Sequence, residues 1–250
     1  MPYPYPVLFE FGRIKIFTYG FFFFLAFLAF LFLSLKRRKY WAQDIDEEHI
    51  YNLAIISIIA GIIGARIAYI LTNISEFKSF YDIIALWHGG LSFFGGLLLA
   101  TIADFIYIKI KKLDFWKIAD ILAVPLALGI SIGRVGAFLS GANPGLPTTL
   151  PWGIEFQNVK THPTALYHAV TDFLTFTILL AVEKKEKIKE KFKEGFIFLL
   201  FLAFYGISRF AVDFFRDYGT NLSLILLSRI VPLLLTAIAL ILIFRRKRKR

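Results

Sequence analysis

The chain has 250 residues, a mass of 28.7 kDa, 58% hydrophobic residues, 29 phenylalanines and a mean hydropathy of +0.66. A soluble domain carries about 45–50% apolar residues, and a core of this size has no room for the surplus, so a soluble globular enzyme, a disordered regulator and a secreted disulfide scaffold are all excluded. Cysteine is absent, which removes thiolate catalysis, iron–sulfur clusters and Cys-ligated zinc, and the net charge of +11 must be read from where the basic residues fall.

A membrane-spanning helix needs ~20 mostly apolar residues. Seven stretches qualify: 17–35, 52–72, 91–108, 118–140, 165–182, 195–215 and 222–244. The expected fold is an all-α polytopic membrane protein with seven transmembrane helices in a single domain over residues 1–250. The first stretch has no basic leader and runs into Lys36, Arg37, Arg38 and Lys39 instead of a small-residue cleavage site, so it reads as a retained helix and not a signal peptide.

The loops set the orientation. Loops 36–51, 109–117, 183–194 and the tail 245–250 hold 20 Lys and Arg, whereas the alternating side holds only Arg13, Lys15, Lys78, Lys160 and Arg216. The positive-inside rule then predicts the N-terminus outside and the C-terminus cytoplasmic. The basic tail is a topology signal and a contact for anionic lipid, and nucleic acid is not expected as a partner. Two longer outer segments, near 73–90 and 141–164, are expected to be ordered. The second contains Pro144, Pro147, Pro151, Pro163 and Trp152, which argues against helix.

Charges inside the spans carry the functional signal, because each costs at least ~2.5–3.5 kcal/mol at the bilayer centre. They are Arg66, Arg134, Arg209, Arg229, Asp104, Asp120, Asp172 and Asp213. Asp120 is near the inner end of its helix, where Lys117 or snorkelling would satisfy it. Arg134 lies between Gly133 and Gly136, which let a ligand or backbone come close. Tyr205, Arg209 and Asp213 follow at i, i+4 and i+8 and form one polar stripe on an apolar helix. Two arginines toward the outer half of their helices suit an anion such as a phosphate, which a guanidinium grips with two hydrogen bonds. The competing reading is an Arg209–Asp213 ion pair that only locks helix packing. The glycine-rich run Gly89-Gly90-Leu91-Ser92-Phe93-Phe94-Gly95-Gly96 is either a hinge at membrane depth or a site of close helix packing.

Taken in order, Thr18-Tyr19-Gly20, Gly64-Ala65-Arg66, the 89–96 run with Ser92, Gly133-Arg134-Val135-Gly136, Pro151-Trp152-Gly153, His162-Pro163 with Leu166-Tyr167, and Tyr205-Gly206 with Arg209 resemble the bacterial prolipoprotein diacylglyceryl transferases. The resemblance spans nearly the whole chain. It implies transfer of the diacylglyceryl group of phosphatidylglycerol to the thiol of a lipobox cysteine in a prolipoprotein, with release of glycerol phosphate. It implies no cofactor and no metal, and it places the enzyme in the bacterial inner membrane as a multi-pass protein. Phosphatidylglycerol, the prolipoprotein lipobox segment and the lipid bilayer are the partners.

By motif, Arg134 is expected to contact the lipid headgroup. Arg209, Tyr205 and Tyr19 are expected as site residues, Asp213 stands where the family often has glutamate, and Gly145 matches a family glycine. Arg66 and Ser92 complete the expected substrate-binding set. The chain departs from the family at Phe94, where some members carry a histidine proposed as the base, at Ala137 and Ala142, and at His168, where the motif ends in glutamate. With Phe94 unable to move a proton, His162 is the first candidate base, ahead of His88, Tyr19 and Asp213. His49, on the inner side, is discounted. The alternative is a catalytically degenerate homologue that binds or moves lipid.

Overall fold

A computed structural model describes residues 3–12, 14–74, 77, 79–85, 89–185, 192–220 and 222–246. The chain opens with a hairpin of β1 (Val7–Phe11) and β2 (Ile14–Phe17), then continues through α1 (Thr18–Trp41), α2 (Glu47–Thr72), the short α3 (Phe80–Ile84), α4 (Phe93–Ile110) and α5 (Phe115–Leu139). A second hairpin of β3 (Ile154–Phe156) and β4 (Val159–Thr161) precedes α6 (Thr164–Glu183), α7 (Phe196–Asp213) and α8 (Leu222–Arg245). Among the described residues, seven helices are long and apolar enough to cross a membrane, and they coincide with the seven stretches expected from the sequence. The largest extension is in α1, which runs on to Trp41 because its basic end continues the helix past the apolar run.

The first hairpin was not expected. Val7-Leu8-Phe9-Glu10-Phe11 and Ile14-Lys15-Ile16-Phe17 are β-branched and aromatic strands around a turn at Gly12, which has φ +59°, and they pair antiparallel with Phe9 opposite Ile16 and Glu10 opposite Lys15. Segment 141–164 carries the second hairpin, which agrees with a prolyl-rich segment that is ordered without being helical.

The chain forms two compact units, one of Met1–Ser34 with Ala119–Arg250 and one of Leu35–Ile118. In the second unit, α2 and α4 pack along a glycine seam. A Cβ built on Gly64 would lie 2.4 Å from the Gly95 carbonyl oxygen, and one on Gly96 would lie 2.8 Å from that of Gly61. Apolar side chains gain little from leaving lipid for a protein neighbour, so such backbone approach is a main source of helix association. Of the two readings of Gly95 and Gly96, close packing is therefore the one observed. Toward the other end of the pair, Ser57 Oγ donates to Asp104 Oδ2 at 2.6 Å, and Tyr107 Oη meets His49 Nδ1 and Asn52 Nδ2, each at 2.9 Å.

In the first unit, α6, α7 and α8 pack in sequence order. Ala123, Val124 and Ala127 of α5, Leu179 of α6 and Phe201 of α7 form a buried core. Asp120 of α5 accepts hydrogen bonds from the amides of Gly195 (2.6 Å) and Phe198 (2.8 Å) at the start of α7. Lys117 Nζ bonds Asp44 Oδ1 at 2.5 Å.

Candidate active site

Three helices of the first unit carry the candidate residues. Arg134 stands near the end of α5, half-buried, and makes no hydrogen bond or ion pair with a described residue. Ser131, one turn earlier, ties α5 to α6 by donating to the Ala169 carbonyl at 2.8 Å. On α6, His168 and Asp172 are one turn apart and only 3% and 2% exposed. On α7, Tyr205, Arg209 and Asp213 form the stripe the sequence predicts. Arg209 Nη1 is 3.5 Å from His168 Nε2, and its Nη2 is 3.8 Å from Asp213 Oδ1. That ion pair is long, and Asp213, fully buried, takes its short hydrogen bond from Tyr218 Oη at 2.5 Å. A packing lock between Arg209 and Asp213 is therefore the weaker description of this stripe. Asp172 Oδ2 and Asp213 Oδ2 are buried with no hydrogen-bond partner among the described residues.

A third guanidinium joins from the loop after α7. Arg216 Nη2 donates to Asn143 Oδ1 at 2.6 Å, and its guanidinium covers the Tyr218 ring at 4.8 Å. Burial pushes the Arg216 guanidinium below its usual value; Arg209 and Arg134 push the same way, against Tyr218 and Asp213. His168 lies in the field of all three arginines, and Asp172 in that of Arg134 and Arg209. Three guanidiniums, those of Arg134, Arg209 and Arg216, thus share this part of the unit with His168, Asp172 and Asp213.

A strap of backbone bonds closes the loop end. Leu146 N donates to Phe215 O at 2.8 Å, Asp217 N to Pro144 O at 3.2 Å, and His162 N to Leu146 O at 3.0 Å. Gly145 makes this possible: a Cβ there would lie 2.2 Å from the His162 carbonyl oxygen, so no side chain fits. Thr164 Oγ1 donates to the Asn143 carbonyl at 2.8 Å and fixes the strap to the first turn of α6.

His162 sits in an aromatic cluster. Its Nδ1 is 3.2 Å from Tyr167 Oη, which accepts from Trp152 Nε1 at 2.8 Å, and its ring lies 4.9 Å from that of Phe215. With Nδ1 protonated toward Tyr167, Nε2 presents a lone pair. Tyr205 is half-buried with its ring stacked on Phe201 at 5.9 Å. Tyr19 opens α1 and is 49% exposed. Among the described residues, no hydrogen bond joins Tyr19 or His162 to the arginines.

Arg66 and Ser92 belong to the second unit. The Arg66 guanidinium is engaged throughout: its N–H groups donate to the carbonyls of Ile83, Gly89, Gly90, Asp82 and Ala85 at 2.5–3.3 Å, with Phe77 5.2 Å from its centre. Ser92 N donates to the Ala65 carbonyl at 2.9 Å. Phe94 is 75% exposed. His88 lies outside the described residues.

The structure thus gathers Arg134, Arg209 and Asp213, with Tyr205 on the same helical stripe. It adds His168, Asp172, Arg216, Asn143 and Tyr218, none of which the sequence reading placed in the site. Asp172 was visible as a charge in a span, and Arg216 only as a loop charge.

Seven helices long and apolar enough to span a membrane, with three half-buried arginines clustered in one unit, define a polytopic helical membrane protein. Residues 6–245 match the prolipoprotein diacylglyceryl transferase family. The chain belongs to that family. It is 34% identical over 236 residues to the phosphatidylglycerol–prolipoprotein diacylglyceryl transferase of Clostridium tetani, covering 91% of this chain and 92% of the relative. Identity to the protein of the same name from Geobacter sulfurreducens is 37% over 237 residues, covering 90% and 88%. For that from Finegoldia magna it is 33% over 244 residues, covering 97% and 96%.

Proposed function

We propose that the chain carries out the reaction its relatives are named for, transferring the diacylglyceryl group of phosphatidylglycerol to a prolipoprotein. In this reading the lipobox cysteine sulfur attacks the glycerol carbon next to the phosphate ester. A carbon–sulfur bond forms, the carbon–oxygen bond breaks, and glycerol phosphate leaves with the electron pair. The thiol proton goes to a base. The observation that carries the site assignment is the arginine cluster: three guanidiniums lie in one unit, suited to a phosphodiester, and Arg134 makes no hydrogen bond or ion pair with a described residue.

Arg134 and Arg209 grip the phosphate and gain strength as it becomes a dianion, which is how preorganised cations lower a barrier. Asp213, held by Tyr218, keeps Arg209 from closing on itself. Tyr205 and Tyr19 offer hydroxyl donors to the headgroup. His162, oriented by Tyr167, takes the thiol proton, and nearby cations make that thiol more acidic than its usual ~8.5. Gly145 holds the strap beside His162, while Arg66 and Ser92 serve binding through the backbone that they hold at residues 82, 83, 85, 89 and 90 and at Ala65. The chain works as one seven-helix domain in the bacterial inner membrane, with the N-terminus and the site on the outer side and the lipobox segment as acceptor.

The test mixes the purified protein with phosphatidylglycerol and a lipobox peptide, and follows the peptide cysteine by mass spectrometry. A diacylglyceryl adduct with stoichiometric glycerol phosphate is expected. A folded protein that binds the lipid and gives no adduct would overturn the assignment. His162→Gln is expected to lower turnover by about 10²-fold or more while lipid binding is kept.

A further inference from the structure

The β1–β2 hairpin takes part in no step above, yet it is two-faced. Cross-strand partners share a side of a sheet, so Phe9 and Ile16 lie on one face and Glu10 and Lys15 on the other. Phe11 alternates onto the face of Phe9. Phe11 is 67% exposed, Phe9 49% and Ile16 37%, and the rings of Phe9 and Phe11 stack at 6.3 Å. On the opposite face Lys15 Nζ pairs with Glu10 Oε1 at 3.1 Å. Contiguous exposed aromatics of this kind mark an interaction surface.

The root of the hairpin tells what covers that surface. β2 passes into α1 with no intervening residue. Thr18 N donates to the Pro6 carbonyl at 3.0 Å, and the buried Thr18 Oγ1 bonds the Tyr5 carbonyl. Tyr5 N donates to Leu139 O at 2.8 Å and Tyr3 Oη to Phe138 O at 3.0 Å, at the last turn of α5. The hairpin is therefore fixed to the first turn of one spanning helix and the last turn of another. Both attachments lie at the ends of apolar spans, where a spanning helix passes from hydrocarbon to headgroup, and at the Arg134 end of α5. Aromatic side chains favour this depth, where an apolar body meets lipid and polar groups meet water.

We propose that the β1–β2 hairpin is an interfacial membrane anchor, with Phe9, Phe11 and Ile16 seated in the acyl boundary of the leaflet on the Arg134 side and Glu10 and Lys15 turned to water. This rests on the spanning helices and not on the transfer reaction. The absence of native cysteine makes the test direct. Phe11→Cys and Lys15→Cys are each spin-labelled in the full chain, reconstituted in nanodiscs of phosphatidylglycerol and phosphatidylcholine without peptide. Accessibility to oxygen, which partitions into lipid, is compared with that to a water-soluble nickel chelate.

The label at position 11 is expected to favour oxygen several-fold over the chelate, and the label at position 15 the reverse. Equal chelate access at both positions would overturn the proposal by placing the hairpin in water. Protection of position 11 from both reagents would overturn it in favour of a protein partner or a second copy. Both labels are read without turnover, so loss of the transfer activity leaves the outcome unaffected.

Discussion

Arg66 and Arg134 are both arginines in apolar spans, and they reach opposite chemical states. Arg66 is buried and donates to five carbonyls of its own unit, so its charge is spent on binding the backbone of residues 82, 83, 85, 89 and 90. Arg134 bonds no described residue and shares its surroundings with Arg209 and Arg216. An arginine inside a membrane is a functional signal only by default. The bonding of its N–H groups decides whether the function is to build the fold or to hold an anion.

The largest expected effect separates those states. Arg134→Ala or Arg209→Ala should lower turnover by about 10²–10³-fold with the folded protein unchanged, as for loss of one preorganised donor to developing charge. Arg66→Ala should instead strip a partner from five carbonyls, at about 0.5–1.5 kcal/mol for a typical hydrogen bond, and show itself as lost thermal stability in detergent. A stable, inactive Arg66→Ala protein would break the contrast.

Gly64→Leu comes next. It drives a side chain into the Gly95 backbone and should cost about 1–3 kcal/mol, read as a lower unfolding temperature of the purified protein. Phe94→Ala removes a ring that is 75% exposed, and activity should stay within about twofold of the parent chain. Complete loss in a folded protein would give that position a part in the chemistry.

The smallest effect is one of pH. Burial, and then the hydrogen bond to Asp213, raise the Tyr218 phenol above its ordinary 10.0, against an opposing bond with Ser228. A raised value in the folded state means that its stabilisation is complete below the unfolded value and fades as pH rises through the folded one. The parent chain should therefore lose more stability than Tyr218→Phe between about pH 9 and about pH 11, as measured by thermal unfolding.

The spans were legible because a run of about 20 apolar residues has few other uses. Arg134, Arg209 and Asp213 were legible because charge is conspicuous in such runs. Asn143, Arg216 and Tyr218 were not, because they lie in loops where polar residues are ordinary, and only the strap between 144–146 and 215–217 brings them together. His168 read as a departure from a motif, and its place beside Arg209 is a matter of how α6 faces α7. The β1–β2 hairpin escaped because its apolar residues merge into the first spanning run.

The joint between Asp120 and α7 has a consequence for sequence drift. The acceptor is a side chain, but the donors at Gly195 and Phe198 are backbone amides. Every residue except proline supplies an amide. The first turn of α7 can therefore change freely in side-chain identity without breaking this contact, provided proline stays out of position 198 and the left-handed turn at Gly195, with φ +91°, is kept. The side-chain half of these two bonds rests on one position, and a neutral replacement such as Asp120→Ala would take the acceptor from both amides.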